Sequence, residues 1–244
     1  LNQTPVPAFA DWSLVGAHNA NLDTSTLRIM EGKSWAKTNT IIVMPCGRTT
    51  PTKPVFALMN LLSPPNQSCP KIPLIGMEVG EAYSNAFEQF ARDPQFKDFK
   101  YVLTIEHDNT PPSDGLLTLI KHMEAHPEFA CIGGLYWTKG PGGVPQIWGD
   151  IKDPMPNWRP QPPDPRGGLV ECWGTGMGFN LWRLDMFKDP RFPRPLFKTK
   201  CSKDEGVGTQ DLTFWSEAKK LGYRCAIACD VLVGHYDVNE DKTW

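Results

Sequence analysis

The 244-residue chain sets 25 Lys and Arg against 27 Asp and Glu, a formal net charge of −2. That balance excludes a broad basic surface for nucleic acid or membrane, and the length suits one large domain or two small ones. Seven cysteines without a Cys-x-x-Cys spacing point away from a zinc ribbon or disulfide framework. Reduced thiols and a cytoplasmic location are therefore expected, and no apolar run is long enough for a membrane span.

Residues 1–37 are polar and weakly patterned, an expected N-terminal extension before a domain over 38–244. The first strand reads Thr40–Met44 and closes on Pro45-Cys46-Gly47-Arg48. A second strand is expected over Lys71–Glu78. A helix follows over Glu81–Arg92, with Tyr83, Ala86, Phe87 and Phe90 inward. The β-forming run Tyr101–Ile105 then stops at Glu106-His107-Asp108. Alternate residues of an extended strand share a face, so Glu106 and Asp108 should point together, about 7 Å apart. Two hard oxygen donors at a strand's carboxyl end suit Mg²⁺ or Mn²⁺ with substrate phosphates completing the shell; an acidic turn capping a helix is the alternative. Leu116, Leu119, Ile120 and Met123 stripe the next helix, and Ala130–Tyr136 reads as a strand. Strands alternating with helices predict an α/β fold with a mixed, mainly parallel sheet.

Nearly half of the segment 139–168 is Gly or Pro, with Trp148 and Trp158 embedded. It reads as an ordered lid or acceptor loop. Leu169–Cys172 and Phe179–Trp182 are strand-like, joined by Gly174-Thr175-Gly176-Met177-Gly178. No helix opens there, so a dinucleotide loop is excluded and close approach of a ligand is expected instead. A basic cluster of Arg191, Arg194, Lys198, Lys200 and Lys203 suggests contact with an anion or simply a solvated loop. Gln210-Asp211 opens a helix ending at Gly222, where Asp211 serves either the helix dipole or chemistry. A last strand over Arg224–Ala228, with Cys225 and Cys229 as small core residues, leads through Val233-Gly234 to His235.

The order Glu106-x-Asp108, Pro-rich turn, helix, Gly133-Gly134 strand, Gly174–Phe179, Gln210-Asp211 and Gly234-His235 resembles the GT-A family of nucleotide-sugar glycosyltransferases. The resemblance covers about residues 38–237, with the family's Asp-x-Asp become Glu-x-Asp. It implies a GT-A-like fold, a nucleotide-binding half joined to an acceptor half, and metal-dependent transfer from a nucleotide-diphosphate sugar to an acceptor hydroxyl. Asp108 and His235, with Glu106, would hold Mn²⁺ or Mg²⁺. Pro45, Arg48, Glu78, Tyr83, Glu106, His107 and Gly176 would line the donor site. Asp211 would be catalytic, as base if configuration inverts. Trp148, Trp158 and Trp173 would meet the acceptor, a glycan or small molecule ahead of a modified DNA base. A nucleotidyltransferase and a non-catalytic carbohydrate- or nucleotide-binding protein are the alternatives on the same scaffold.

Overall fold

The computed structural model describes residues 39–244 apart from 66, 68, 154–156 and 203–205. The expected extension over 1–37 and Lys203 of the basic cluster lie outside the described residues. The order is β1 (Thr40–Cys46), α1 (Thr52–Met59), β2 (Lys71–Ile75), α2 (Val79–Arg92), β3 (Tyr101–Ile105), β4 (Asn109–Thr110), α3 (Gly115–Ala125) and β5 (Cys131–Leu135). There follow β6 (Ile147–Asp150), β7 (Leu169–Thr175), β8 (Phe179–Arg183), β9 (Lys200–Ser202), β10 (Gly206–Gly208), α4 (Gln210–Lys220), β11 (Cys225–Leu232), β12 (Gly234–Asp237) and β13 (Lys242–Thr243). Eight strands form one sheet in the order β2-β1-β3-β8-β5-β11-β7-β6. β2, β1 and β3 pair in parallel, as do β5 and β11, while β8 runs antiparallel between β3 and β5.

The sheet is buried on both faces, which is why its strands read as continuous apolar runs. Ile41, Val43 and Val102 pack with Phe87 of α2, Phe187, Phe197 and Phe214 of α4. Their strand neighbours Ile42, Leu103 and Ile105 turn the other way, onto Leu116, Leu119, Ile120 and Met123 of α3. The period of two in the strands and the stripe of α3 thus select opposite sides of one sheet. Trp182 is fully buried and stacks on Trp215 at 5.2 Å, locking α4 to the centre of β8. Cys225 and Cys229 are buried in this core, as their spacing implied. Among the described residues no helix is long and apolar enough to cross a membrane.

The structure departs from the sequence reading at three places. β2 stops at Ile75, three residues short of Glu78, because Gly76 takes a left-handed φ of +75° and turns the chain into α2. The segment 139–168 is not a strandless loop: it contains β6, and bridges from Trp137 to Pro145 and from Trp148 to Pro160 tie it down. Gly176–Gly178 is a turn rather than part of a strand, linking β7 to β8. β7 itself pairs with β11 through Leu169–Cys172 and with β6 through Cys172–Thr175, so it hands over from one partner to the other at Cys172. The helix expected to start at Gln210 does so, and Gly222 follows its end at φ +88°, as a C′ glycine should.

Candidate active site

β1, β2 and β3 run in parallel, so Pro45, the residues after Ile75 and Glu106 all reach the same edge of the sheet. Pro45 is buried in β1 opposite Leu74, with Arg48 exposed just beyond it. Glu78 is occupied as the N-cap of α2, accepting the Glu81 amide at 2.9 Å and the Thr199 hydroxyl at 2.8 Å.

Glu106 and Asp108 do not share a strand face. The chain turns at once after β3, with the Asn109 amide donating to the Glu106 carbonyl at 3.1 Å. His107 sits half-buried within that turn, and the two acids part company. Glu106 falls under the influence of Asp211 as well as Asp108, among the buried hydroxyls of Tyr83 and Tyr136. Burial, then the charges of Asp108 and Asp211, push its carboxyl up to about 8 against a partial offset from Lys139. Asp211 lies in the first turn of α4, accepts the Leu212 amide at 2.8 Å and is buried; burial raises its pKa too. Half-buried Glu106 and buried Asp211 are thus both displaced upward, a pattern found at sites that move protons.

Asp108 meets His235 instead. β4 pairs with β12, setting His235 opposite Asn109, and the Tyr236 amide donates to the Asp108 carbonyl at 2.7 Å. His235 Nε2 stands 3.4 Å from Asp108 Oδ2, and Lys139 Nζ contacts the same oxygen at 2.5 Å. Burial works against ionisation of Asp108, but the hydrogen bonds and charges of His235 and Lys139 outweigh it and hold the carboxyl well below its usual range. His235 Nδ1 lies 2.7 Å from the Trp137 carbonyl, which can only accept, so Nδ1 carries a hydrogen. A protonated ring donates from Nε2 to Asp108, and that form holds the carboxyl down; a neutral ring presents an Nε2 lone pair to the same carboxylate oxygen. A cation at that place satisfies both, and a backbone carbonyl orienting the far nitrogen is the usual support of a metal-binding imidazole. The pair therefore fits a divalent ion. Glu106 feels the charge of Asp108, but among the described residues no three His, Cys, Asp or Glu side chains converge on one point.

The glycine turn closes the site from the β8 side. The Gly178 amide donates to the Tyr136 hydroxyl at 2.9 Å, and its carbonyl accepts the Glu106 amide at 3.1 Å. A Cβ at Gly176 or Gly178 would overlap Tyr136, so the close approach expected from these glycines is made, against protein rather than open space. The oxygen Asn109 Oδ1 and the hydroxyl of Tyr83 are buried without a hydrogen-bond partner, and unpaired groups of this kind mark a place completed by water or ligand.

The three tryptophans come together on the β6–β7 pair. Trp148 faces Gly174 in register, Trp158 lies over Gly174 and Trp173 over Gly149. Two of their indole nitrogens are satisfied internally, Trp148 by Gln146 at 3.1 Å and Trp173 by the Asp150 carbonyl at 2.6 Å, while Lys219 lies over the Trp173 ring and Trp158 packs against the core. Two members of the basic cluster are neutralised: Arg191 forks onto Asp189 and Arg194 approaches Glu88. Lys198 and Lys200 instead line a cleft of about 610 Å³ with Glu78, Glu81 and Phe197, on the flank of α2. Lys139, Tyr136 and Asn109 escaped the sequence reading; Tyr136, at the carboxyl end of a strand in a parallel sheet, is the one that position signals.

The high pKa of Glu106 makes its own test. The folded state holds this proton up to about pH 8, whereas the unfolded chain releases it near 4.5. Folding is therefore weakened as pH rises between those values. Glu106→Gln should remove that loss, gaining up to roughly 1.4 kcal/mol per pH unit relative to wild type across the window. Urea unfolding in EDTA from about pH 5 to 9 measures it, and parallel pH profiles for the two proteins would show Glu106 to be solvated.

No family model and no curated protein matches the chain. Among solved structures, A197 from STIV superposes with a TM-score of 0.57 at 16% identity, over 84% of this chain and 93% of that one. The likeness is one of fold: a mixed eight-stranded sheet flanked by helices, consistent with a GT-A-like architecture.

Proposed function

We propose that the protein is a metal-dependent glycosyltransferase that moves a sugar from a nucleotide-diphosphate donor to an acceptor hydroxyl. The observation that carries this reading is the meeting of Asp108 and His235 at the carboxyl edge of β3, beside Glu106 and Asp211. Held by Asp108 and His235, Mn²⁺ (favoured over Mg²⁺ by the imidazole) would supply Lewis-acid stabilisation of the departing diphosphate. The exposed guanidinium of Arg48, at the same edge, suits a phosphate or a base edge. Asp211, kept basic by burial, is placed to take the acceptor proton, and protonated Glu106 to donate a hydrogen bond within the site. The tryptophan faces of β6 and β7 suit a sugar ring. Neutralisation of Arg191 and Arg194 lowers the attraction for a phosphate backbone, which favours a glycan or small-molecule acceptor over DNA.

The test is a screen of nucleotide sugars against glycan, protein and DNA acceptors with Mn²⁺, at two salt concentrations. Transfer to a glycan or small molecule is the expected result. Release of a sugar 1-phosphate with nucleotide transfer would mark a nucleotidyltransferase, and donor binding without transfer would mark a binding protein.

A further inference from the structure

Lys139 belongs to no part of the chemistry above, yet it makes the shortest contact to Asp108. It lies on the hairpin that joins β5 to β6, held by the Thr138 amide to the Val144 carbonyl and by the Trp137–Pro145 bridge. Gly140 and Gly142 in its turn take left-handed φ values of +97° and +80° with open space around them. Two residues earlier the same hairpin offers the Trp137 carbonyl to His235 Nδ1. One short segment thus touches both members of the ligand pair, one through a main-chain oxygen and the other through an ammonium.

From this geometry we infer that Lys139 is the built-in counter-cation of the Asp108–His235 pair, holding Asp108 in ligand position and competing with the divalent ion for its Oδ2. The inference rests on the proposed metal site. An ammonium 2.5 Å from Oδ2 occupies the space an ion bound to that oxygen needs. The Lys139 side chain is 31% exposed, so its four-carbon stem has a path outward. The Trp137 carbonyl contact leaves the orientation of His235 unchanged when it moves. The pair is consequently never left as two facing acceptors.

The experiment uses Mn²⁺ alone, without nucleotide, on wild type, Lys139→Met, Lys139→Arg and Asp108→Asn, with affinity read by calorimetry. Lys139→Met should bind Mn²⁺ about tenfold more tightly, the size of a lost charge-assisted hydrogen bond to the competitor, and Lys139→Arg should stay near wild type. A second readout follows Lys139 itself: its acetylation by acetic anhydride, measured by mass spectrometry, should accelerate several-fold as Mn²⁺ loads. Mn²⁺ binding that is lost in Asp108→Asn but unmoved in Lys139→Met, or loaded without any change in Lys139 reactivity, overturns the inference and leaves the metal site standing. Mn²⁺ binding that survives Asp108→Asn, or is absent from both wild type and Lys139→Met even with a nucleoside diphosphate added, removes the metal site and the inference with it.

Discussion

Asp108→Ala is expected to abolish metal-dependent nucleotide binding while the protein stays folded. Asp108 supplies the anionic half of the proposed ion-holding pair with His235. Its carboxyl is ionised far into acid, so it binds an ion without first losing a proton. Removing it leaves one imidazole and a freed Lys139, a combination with net repulsion for a divalent ion. The nucleoside diphosphate affinity gained on adding Mn²⁺ should fall by about 100-fold or more, ~2.8 kcal/mol. The side chain lies in a turn outside the core, so thermal unfolding should keep its cooperativity. Calorimetry with and without EDTA decides the matter: wild-type affinity that ignores EDTA would rule the site out.

Asp211→Asn should cut turnover by roughly 10²–10⁴-fold, the range for loss of a general base, with donor affinity nearly unchanged. The substitution keeps shape and the bond accepted from the Leu212 amide, while it removes basicity. Wild-type turnover should also fall off in acid at a pH above the ordinary carboxylate range, because burial raises this group. That limb should vanish from the residual activity of the variant. A variant with normal turnover would return Asp211 to the service of the α4 dipole.

The fold was legible because its signals are local. The continuous apolar run Ile41, Ile42 and Val43, which alternates between the two faces of the sheet, and the stripe from Leu116 to Met123 are properties of a strand and a helix read one at a time. The site was half legible. Glu106 and Asp108 were found as the end of β3, but their common face was not kept, since strand alternation lapses once a turn begins at Glu106. The partner of Asp108 on the far side, Lys139, lies in a Gly/Pro-rich stretch with no periodicity to read. The β6 strand hid there for the same reason: its pairing with β7 is settled by contacts distant in sequence.

The His235 placement has a consequence for how the molecule comes together. The Asn109 amide side chain reaches the Gly234 carbonyl across 125 residues of sequence, and His235 exchanges both backbone hydrogen bonds with Trp244. Few contacts in the chain close so large a loop, and such closures come late because their entropy must be met before they are rewarded. Most of the sheet has its partners before β12 exists, while Asp108 waits for a strand that follows every member of that sheet in sequence.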